Sequence, residues 1–155
     1  MKQILKVVIG IIILGAICFG VYTVLPEYPH NMVKSFVQPV INKQAKARID
    51  AVKALVNEDL DKTYQTIFES HTTTHFWIYD LDEATGTETV TFYAKGAHIN
   101  IKDIDNHEDH LYTSCGIKFE FRISGNKVDI TAYIENVAQD DIIKDLMFRQ
   151  LLSGN

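Results

Sequence analysis

Nineteen consecutive residues, Val7 to Leu25, carry no charged side chain. As an α-helix rising about 1.5 Å per residue the run is about 28 Å long, close to a bilayer's hydrocarbon core of about 30 Å. Lipid offers the backbone no hydrogen-bond partner, so a segment that spans it has to be helical. Lys2, Lys6 and the α-amino group lie before the run, and the first cation after it is Lys34. That bias predicts a single-pass anchor in the inner (cytoplasmic) membrane, with residues 1–25 as cytoplasmic tip and anchor and residues 26–155 as one exported domain. Tyr22 and Tyr28 fall near the outer boundary, where amphipathic rings are favoured. Gly10, Gly15 and Gly20 recur along the run and Ala16 with Gly20 forms a small-xxx-small pair, a helix-packing pattern that also arises because glycine is common in such helices.

A cleaved signal peptide is the rival reading, since a charged start and an apolar run suit it too. Its cleavage site is poor: Val21-Tyr22-Thr23 is a weak small-x-small match, and Ala16-Ile17-Cys18 leaves a short apolar core. Lipidation at Cys18 would put Ile17 where bacterial lipoprotein signals resemble one another in having Gly or Ala. All three readings export residues 26–155.

Of the fifteen Lys and Arg, Lys2 and Lys6 precede the run, so residues 26–155 hold thirteen against all twenty acids, a net of −7. An acidic domain without a basic, aromatic-interleaved patch argues against nucleic acid as a partner and against electrostatic attachment to anionic lipid. The two cysteines, Cys18 and Cys115, fall in the anchor and in the domain, so the domain is no disulfide scaffold and has to stand on its core.

Val33, Phe36, Val37, Val40 and Ile41, continued by Ala45, Ile49, Val52 and Val56, follow a helical spacing. Pro39 predicts a kink or a junction of two helices. Lys34, Lys43, Lys46, Arg48 and Lys53 form the polar face, read as a solvated surface that also suits lipid headgroups. Asn57-Glu58-Asp59 reads as a break and cap, before a second stripe of Leu60, Tyr64, Ile67 and Phe68. From Thr72 the period becomes two. Strands are predicted at Thr72–Asp80, at Thr87–Ala94 and, past a bend or bulge at Gly96, at Ala97–Ile101. The clearest pattern is a hairpin. Leu111, Cys115, Ile117, Phe119, Phe121 and Ile123 share one face, and after Gly125-Asn126 the phase flips to Val128, Ile130, Ala132 and Ile134. A two-residue turn sets Ser124 opposite Lys127 and matches every apolar residue from Ile117 to Ile134, a register that a one-residue slip would destroy. Cys115 then reads as a small buried hydrophobe. Asp140 and Asp141 open a closing helix with a stripe of Ile142, Ile143, Leu146, Met147, Leu151 and Leu152, suited to the hairpin's apolar face. The predicted fold is α+β: an N-terminal transmembrane helix, two amphipathic helices, an antiparallel sheet of four to five strands and a C-terminal helix.

The densest cluster of chemistry-bearing residues runs from His98 to His110. His107 and His110 with Asp103, Asp105 and Asp109 are metal-ligand types, but His107-Glu108-Asp109-His110 is one residue short of the HExxH helix spacing, and no glycine supplies a calcium loop's sharp turn. A polar surface loop accounts for it, with acid sensing by exposed histidines as a further hypothesis that flat stability from about pH 5 to 8 would remove. No nucleophile elbow, P-loop or dinucleotide fingerprint occurs. No residue is therefore assigned a catalytic, cofactor-binding or metal-binding role, and the expectation is a binding protein rather than an enzyme. A solvent-exposed row of Trp77, Tyr79, Tyr93 and Tyr133 would mark a binding surface.

The layout of N-terminal anchor, late hairpin strands and a closing segment from Asp140-Asp141-Ile142-Ile143 to Phe148-Arg149-Gln150-Leu151-Leu152 resembles the FidL-like and ToxS-like accessory proteins of Gram-negative bacteria. Those partner membrane-bound winged-helix regulators. The resemblance rests on architecture, with the long helical stretch from Val33 to Phe68 as a departure. It implies a membrane-protein partner with its own exported domain, which this domain stabilises or regulates, and a small apolar ligand between the two. It transfers no site residue. A structural component of an envelope-spanning secretion or conjugation complex is the alternative, and a secreted small-ligand carrier is the third reading if the N-terminus is cleaved.

Overall fold

The computed structural model describes residues 26–154. The anchor expected at Val7 to Leu25 lies outside the described residues, and among those described no helix is long and apolar enough to cross a membrane.

Four helices and seven strands follow in the order α1 (Glu27–Ile41), α2 (Lys43–Ala54), β1 (Val56–Asn57), β2 (Lys62–Thr63), α3 (Tyr64–Glu69), β3 (Thr74–Asp82), β4 (Thr87–Ile101), β5 (His110–Ser124), β6 (Lys127–Ile134), β7 (Val137–Ala138) and α4 (Asp141–Ser153). The strands β3 to β7 form an antiparallel sheet in sequence order, and β1 with β2 a small ribbon. The α+β class, the sheet of five strands and the closing helix agree with the sequence reading. Three helices rather than two precede the sheet, and β3 starts and ends two residues later than expected.

The hairpin register is the expected one, from Ser124↔Lys127 to Ile117↔Ile134. Gly125 takes φ +59, the left-handed first position that a two-residue turn of this kind requires. Alternation then places Trp77, Phe92, Phe119 and Ala132 side by side on one face, and Tyr79, Val90, Phe121 and Ile130 in the next row. Gly96, at φ +76, carries the predicted bulge, and the inward phase of β4 passes there from Ala94 to Ala97. The irregularity continues opposite, where Ser114 has φ +59 and the pairing shifts between Ala97 and Ile99. That second shift corrects one expectation. Tyr112 packs against the core and Leu111 points outward, 61% exposed, because the shift exchanges the two faces of β5 beyond Cys115. Cys115 is buried and free, its thiol donates to the Ala97 carbonyl at 3.3 Å, and burial pushes its pKa up.

α2, α3 and α4 cover this face. Ala45, Ile49, Val52, Ile67, Phe68, Ile143, Met147 and Leu151 join the sheet residues in one core. Phe68 lies at its centre, stacked on Phe92 at 4.7 Å and on Phe119 at 4.6 Å. Phe148 stacks on Phe119 at 5.2 Å, whereas Ile142, expected in the buried stripe, is exposed at the helix's first turn. Asn57 does cap a turn, accepting from the Leu60 amide at 3.0 Å, but the turn joins β1 to β2. The helix expected there starts later, at Tyr64, where Thr63 supplies the cap.

The other face has a smaller cluster of Phe76, Ile78 and Tyr93, with Tyr28 of α1 packed against it. α1 therefore lies on the outer side of β3 and α2 on the inner side, and the pair straddles the edge strand. Asn42 makes the turn between them. Its amide donates to the Gln38 carbonyl at 2.9 Å and its side chain accepts from the Ala45 amide at 3.0 Å. Pro39 lies within α1, and the helix stops two residues after it.

Candidate functional site

α1 sits on the sheet with the opposite polarity from the one its spacing predicts. Asn31, Lys34 and Gln38, three and four residues apart, form the stripe that meets the sheet. The Asn31 side-chain amide donates to the Tyr93 hydroxyl at 3.0 Å, and that hydroxyl donates to Glu27 at 3.2 Å. Lys34 pairs with Asp80. Gln38 donates to the Tyr79 carbonyl at 2.5 Å and accepts from the Tyr79 amide at 2.9 Å. A neighbouring strand would make the same two bonds, so Gln38 caps the sheet edge at that position. The apolar stripe consequently faces away. None of the α1 residues is buried, and Phe36, Ile41 and Val40 are 72%, 76% and 82% exposed. This overturns the expectation that Val33 to Ile41 continues the buried stripe of Ala45, Ile49 and Val52; Val56 is exposed as well.

Between the two helices and β3 runs an open groove of about 340 Å³. Phe36 and Pro39 of α1, Ile49 of α2 and His75 to Trp77 of β3 line it, and Lys46, Asp50, Lys53 and Glu69 form its rim. Tyr79 directs its backbone toward Gln38, so by the two-residue period of a strand Trp77 and His75 direct theirs the same way, into the groove. The rim is rigid. Lys46 pairs with Asp50 at 2.5 Å and Lys53 with Glu69 at 2.7 Å, while the Trp77 indole donates to Glu69 at 2.9 Å. Lys53 also lies 5.4 Å from the Trp77 ring centroid. Burial alone would raise the Glu69 pKa, but hydrogen bonds from Lys53, Gln65 and Trp77 outweigh it and hold the carboxyl below its usual value. A carboxylate depressed on folding contributes stability that is present above its unfolded pKa and lost as pH falls through its folded one. The stability difference between the wild type and Glu69→Gln, read by urea unfolding, is therefore expected to be largest at neutral pH and to shrink with acidification below the ordinary glutamate range.

Deeper under the same edge, Glu88 is 8% exposed and gathers the Tyr79 hydroxyl at 2.8 Å, the Gln44 amide at 2.9 Å and Arg48 at 2.7 Å. Burial opposes its charge, yet these donors hold its pKa below the usual range. Burial, then Glu88, pushes Tyr79 up to about 12. The network fixes α2 to β3 and β4. Removing the carboxylate with Glu88→Ala leaves Tyr79 and Arg48 without their partner, and a loss of about 1–3 kcal/mol in urea unfolding is expected.

The four rings whose exposure would mark a binding surface do not form an exposed row. Trp77, Tyr79 and Tyr93 are buried, Tyr133 is half-buried, and the first two face the core while Tyr93 and Tyr133 lie on the opposite side of the sheet. Four of the five cations of the predicted polar face, Lys34, Lys46, Arg48 and Lys53, form ion pairs.

The loop from Lys102 to Asp109 is organised by hydrogen bonds. Asp109 accepts from the Asp103 amide at 3.0 Å, and the His107 ring lies 3.1 Å from the Asp105 carbonyl and 2.7 Å from the Asp140 carboxylate. The His110 ring packs at a tilt on Tyr112, centroids 4.2 Å apart, instead of joining His107. Among the described residues no three His, Cys, Asp or Glu side chains come together as a metal site. The Asp105 carbonyl, then Asp140, raise the His107 pKa, so its share of stability is present below its unfolded value and is lost as pH rises through the folded one. Asp140 also caps α4, accepting from the Ile143 amide at 3.0 Å. Asp140→Ala is expected to cost about 1 kcal/mol by loss of the cap, read as a lower urea midpoint with unchanged slope.

Gln38 and Glu88 carry no motif and were invisible in the sequence; their positions opposite Tyr79 exist only once the helices straddle β3. Compared with protein-family models, with curated proteins and with solved structures, the chain matches none.

Proposed function

We propose that the chain is a single-pass, membrane-anchored accessory subunit whose exported α+β domain binds and stabilises or regulates a partner membrane protein. Val7 to Leu25 hold it in the inner membrane, and the groove along β3 takes an extended segment of the partner. One observation carries this reading: Gln38 imitates a neighbouring strand at Tyr79, while Trp77 and His75 turn their backbones into an open groove floored by Phe36, Pro39 and Ile49. Backbone pairing at such an edge supplies affinity, and the pockets beside it select side chains. The ion-paired rim favours a segment with few charges, because a charged one would have to compete with pairs already made. The architectural resemblance to FidL-like and ToxS-like proteins supports a regulator as that partner.

The test is co-purification of the full chain from its native membrane after in-cell crosslinking. One stoichiometric partner with its own exported domain is the expected result. A ladder of many envelope proteins would indicate a structural component of a secretion or conjugation machine. A monomer released with a cut N-terminus would indicate a carrier, and either outcome contradicts the proposal.

A further inference from the structure

We infer that the outward face of α1 seats in the interfacial layer of the lipid bilayer, so that the domain lies against the membrane instead of swinging on a tether. The inference rests on the reading of Val7 to Leu25 as a membrane anchor. Met32, Val33, Val37, Val40 and Ile41, none of which lines the groove, are all exposed and follow one another along the last ten residues of the helix. The opposite side is bound to the sheet through Asn31, Lys34 and Gln38, so the helix cannot roll its apolar face inward without losing those contacts.

Where the preceding chain ends identifies the occupant. The uncharged run stops at Leu25 and α1 begins at Glu27. Two residues reach at most about 7 Å, so the helix starts at the rim of whatever the run is embedded in. α1 has fifteen residues, about 22 Å of helix. A helix with an apolar side, placed there, lies in the interface with that side about 5–10 Å deep. The domain's net charge of −7 gives no electrostatic attraction to acidic headgroups, so the contact is apolar. A second copy is the poorer occupant. One stripe about 15 Å long and about 10 Å wide offers roughly 150 Å² per partner, about 300 Å² for the pair, far below the roughly 1,200 Å² total of a stable interface.

The full chain is reconstituted in phosphatidylcholine vesicles whose acyl chains carry bromine, which quenches tryptophan. Four proteins are compared: the wild type, whose single Trp77 is buried, and the variants Val40→Trp, Leu14→Trp and Lys127→Trp. Val40 is 82% exposed and lies outside the groove. Val40→Trp is expected to lose most of its added emission and to shift to the blue, equally at low and high salt. Lys127→Trp, at the hairpin tip, is expected to stay unquenched and Leu14→Trp to be quenched. Quenching at Leu14→Trp without quenching at Val40→Trp overturns the inference and leaves the anchor standing. No quenching at Leu14→Trp overturns the anchor reading itself. An unquenched Val40→Trp whose emission turns blue as the protein-to-lipid ratio rises assigns the stripe to a second copy, and one that stays red assigns it to a protein missing from the vesicle; both overturn the lipid contact.

Discussion

Phe68→Ala is expected to cost about 3–5 kcal/mol, the range for deleting a fully buried aromatic ring. A domain of this size has about 5–15 kcal/mol in all, so the variant would be largely or wholly unfolded at growth temperature. The reason lies in how the core closes. Phe68 is fully buried, stacks on one ring of β4 and one of β5, and also meets Trp77 and Phe148, each at 5.8 Å. It belongs to α3, a helix of six residues that is too short to form on its own. Deleting the ring therefore removes both a layer of the core and the contact that holds α3 in place. Urea unfolding reads the loss directly. A change below about 1 kcal/mol would mean that α3 is a surface element rather than the centre of the core.

Phe36→Ser is expected to do the reverse. Phe36 is 72% exposed, and exposed substitutions away from caps and networks usually change stability by less than about 0.5 kcal/mol. It also forms one wall of the groove beside Trp77 and Pro39. Recovery of the crosslinked partner should fall to background while the urea midpoint stays where it is. Undiminished recovery would place the partner elsewhere on the domain. A large drop in stability would mean that the ring packs inside the protein.

The two variants also separate what periodicity can tell from what it cannot. The hairpin was readable to the residue because two strands constrain each other: each inward residue from Ile117 to Phe121 has an inward partner, and Lys118, Glu120, Arg122 and Asp129 fall on the opposite face. The closing helix was readable for a similar reason, with acids at its start and an apolar stripe suited to the hairpin's apolar face. In α1 the same kind of pattern misled. Spacing identifies an apolar side without saying what it faces, and here Asn31, Lys34 and Gln38 found better partners on the sheet than Val33 and Phe36 did. Leu111 shows a second limit. Alternation propagates only through an unbroken ladder, and the irregularity around Ser114 inverts it. The groove had no signature because its parts, Phe36, Ile49 and Trp77, come from three elements that meet only when the chain turns at Asn42 around the edge strand. The cluster from His98 to His110 drew attention by composition, yet its members are engaged locally, His107 with Asp140 and His110 with Tyr112.

The most direct test of the binding account is a photoreactive residue placed at Asp50 on the groove rim and, in a second strain, at Lys127 on the hairpin tip. Both are exposed and lie far apart in sequence. Irradiation of cells carrying the full chain should yield one discrete membrane-protein adduct from position 50 and none from position 127. Equal adducts from both positions, or none from position 50 while the chain is folded and present in the membrane, would contradict the assignment of the β3 groove as the partner site.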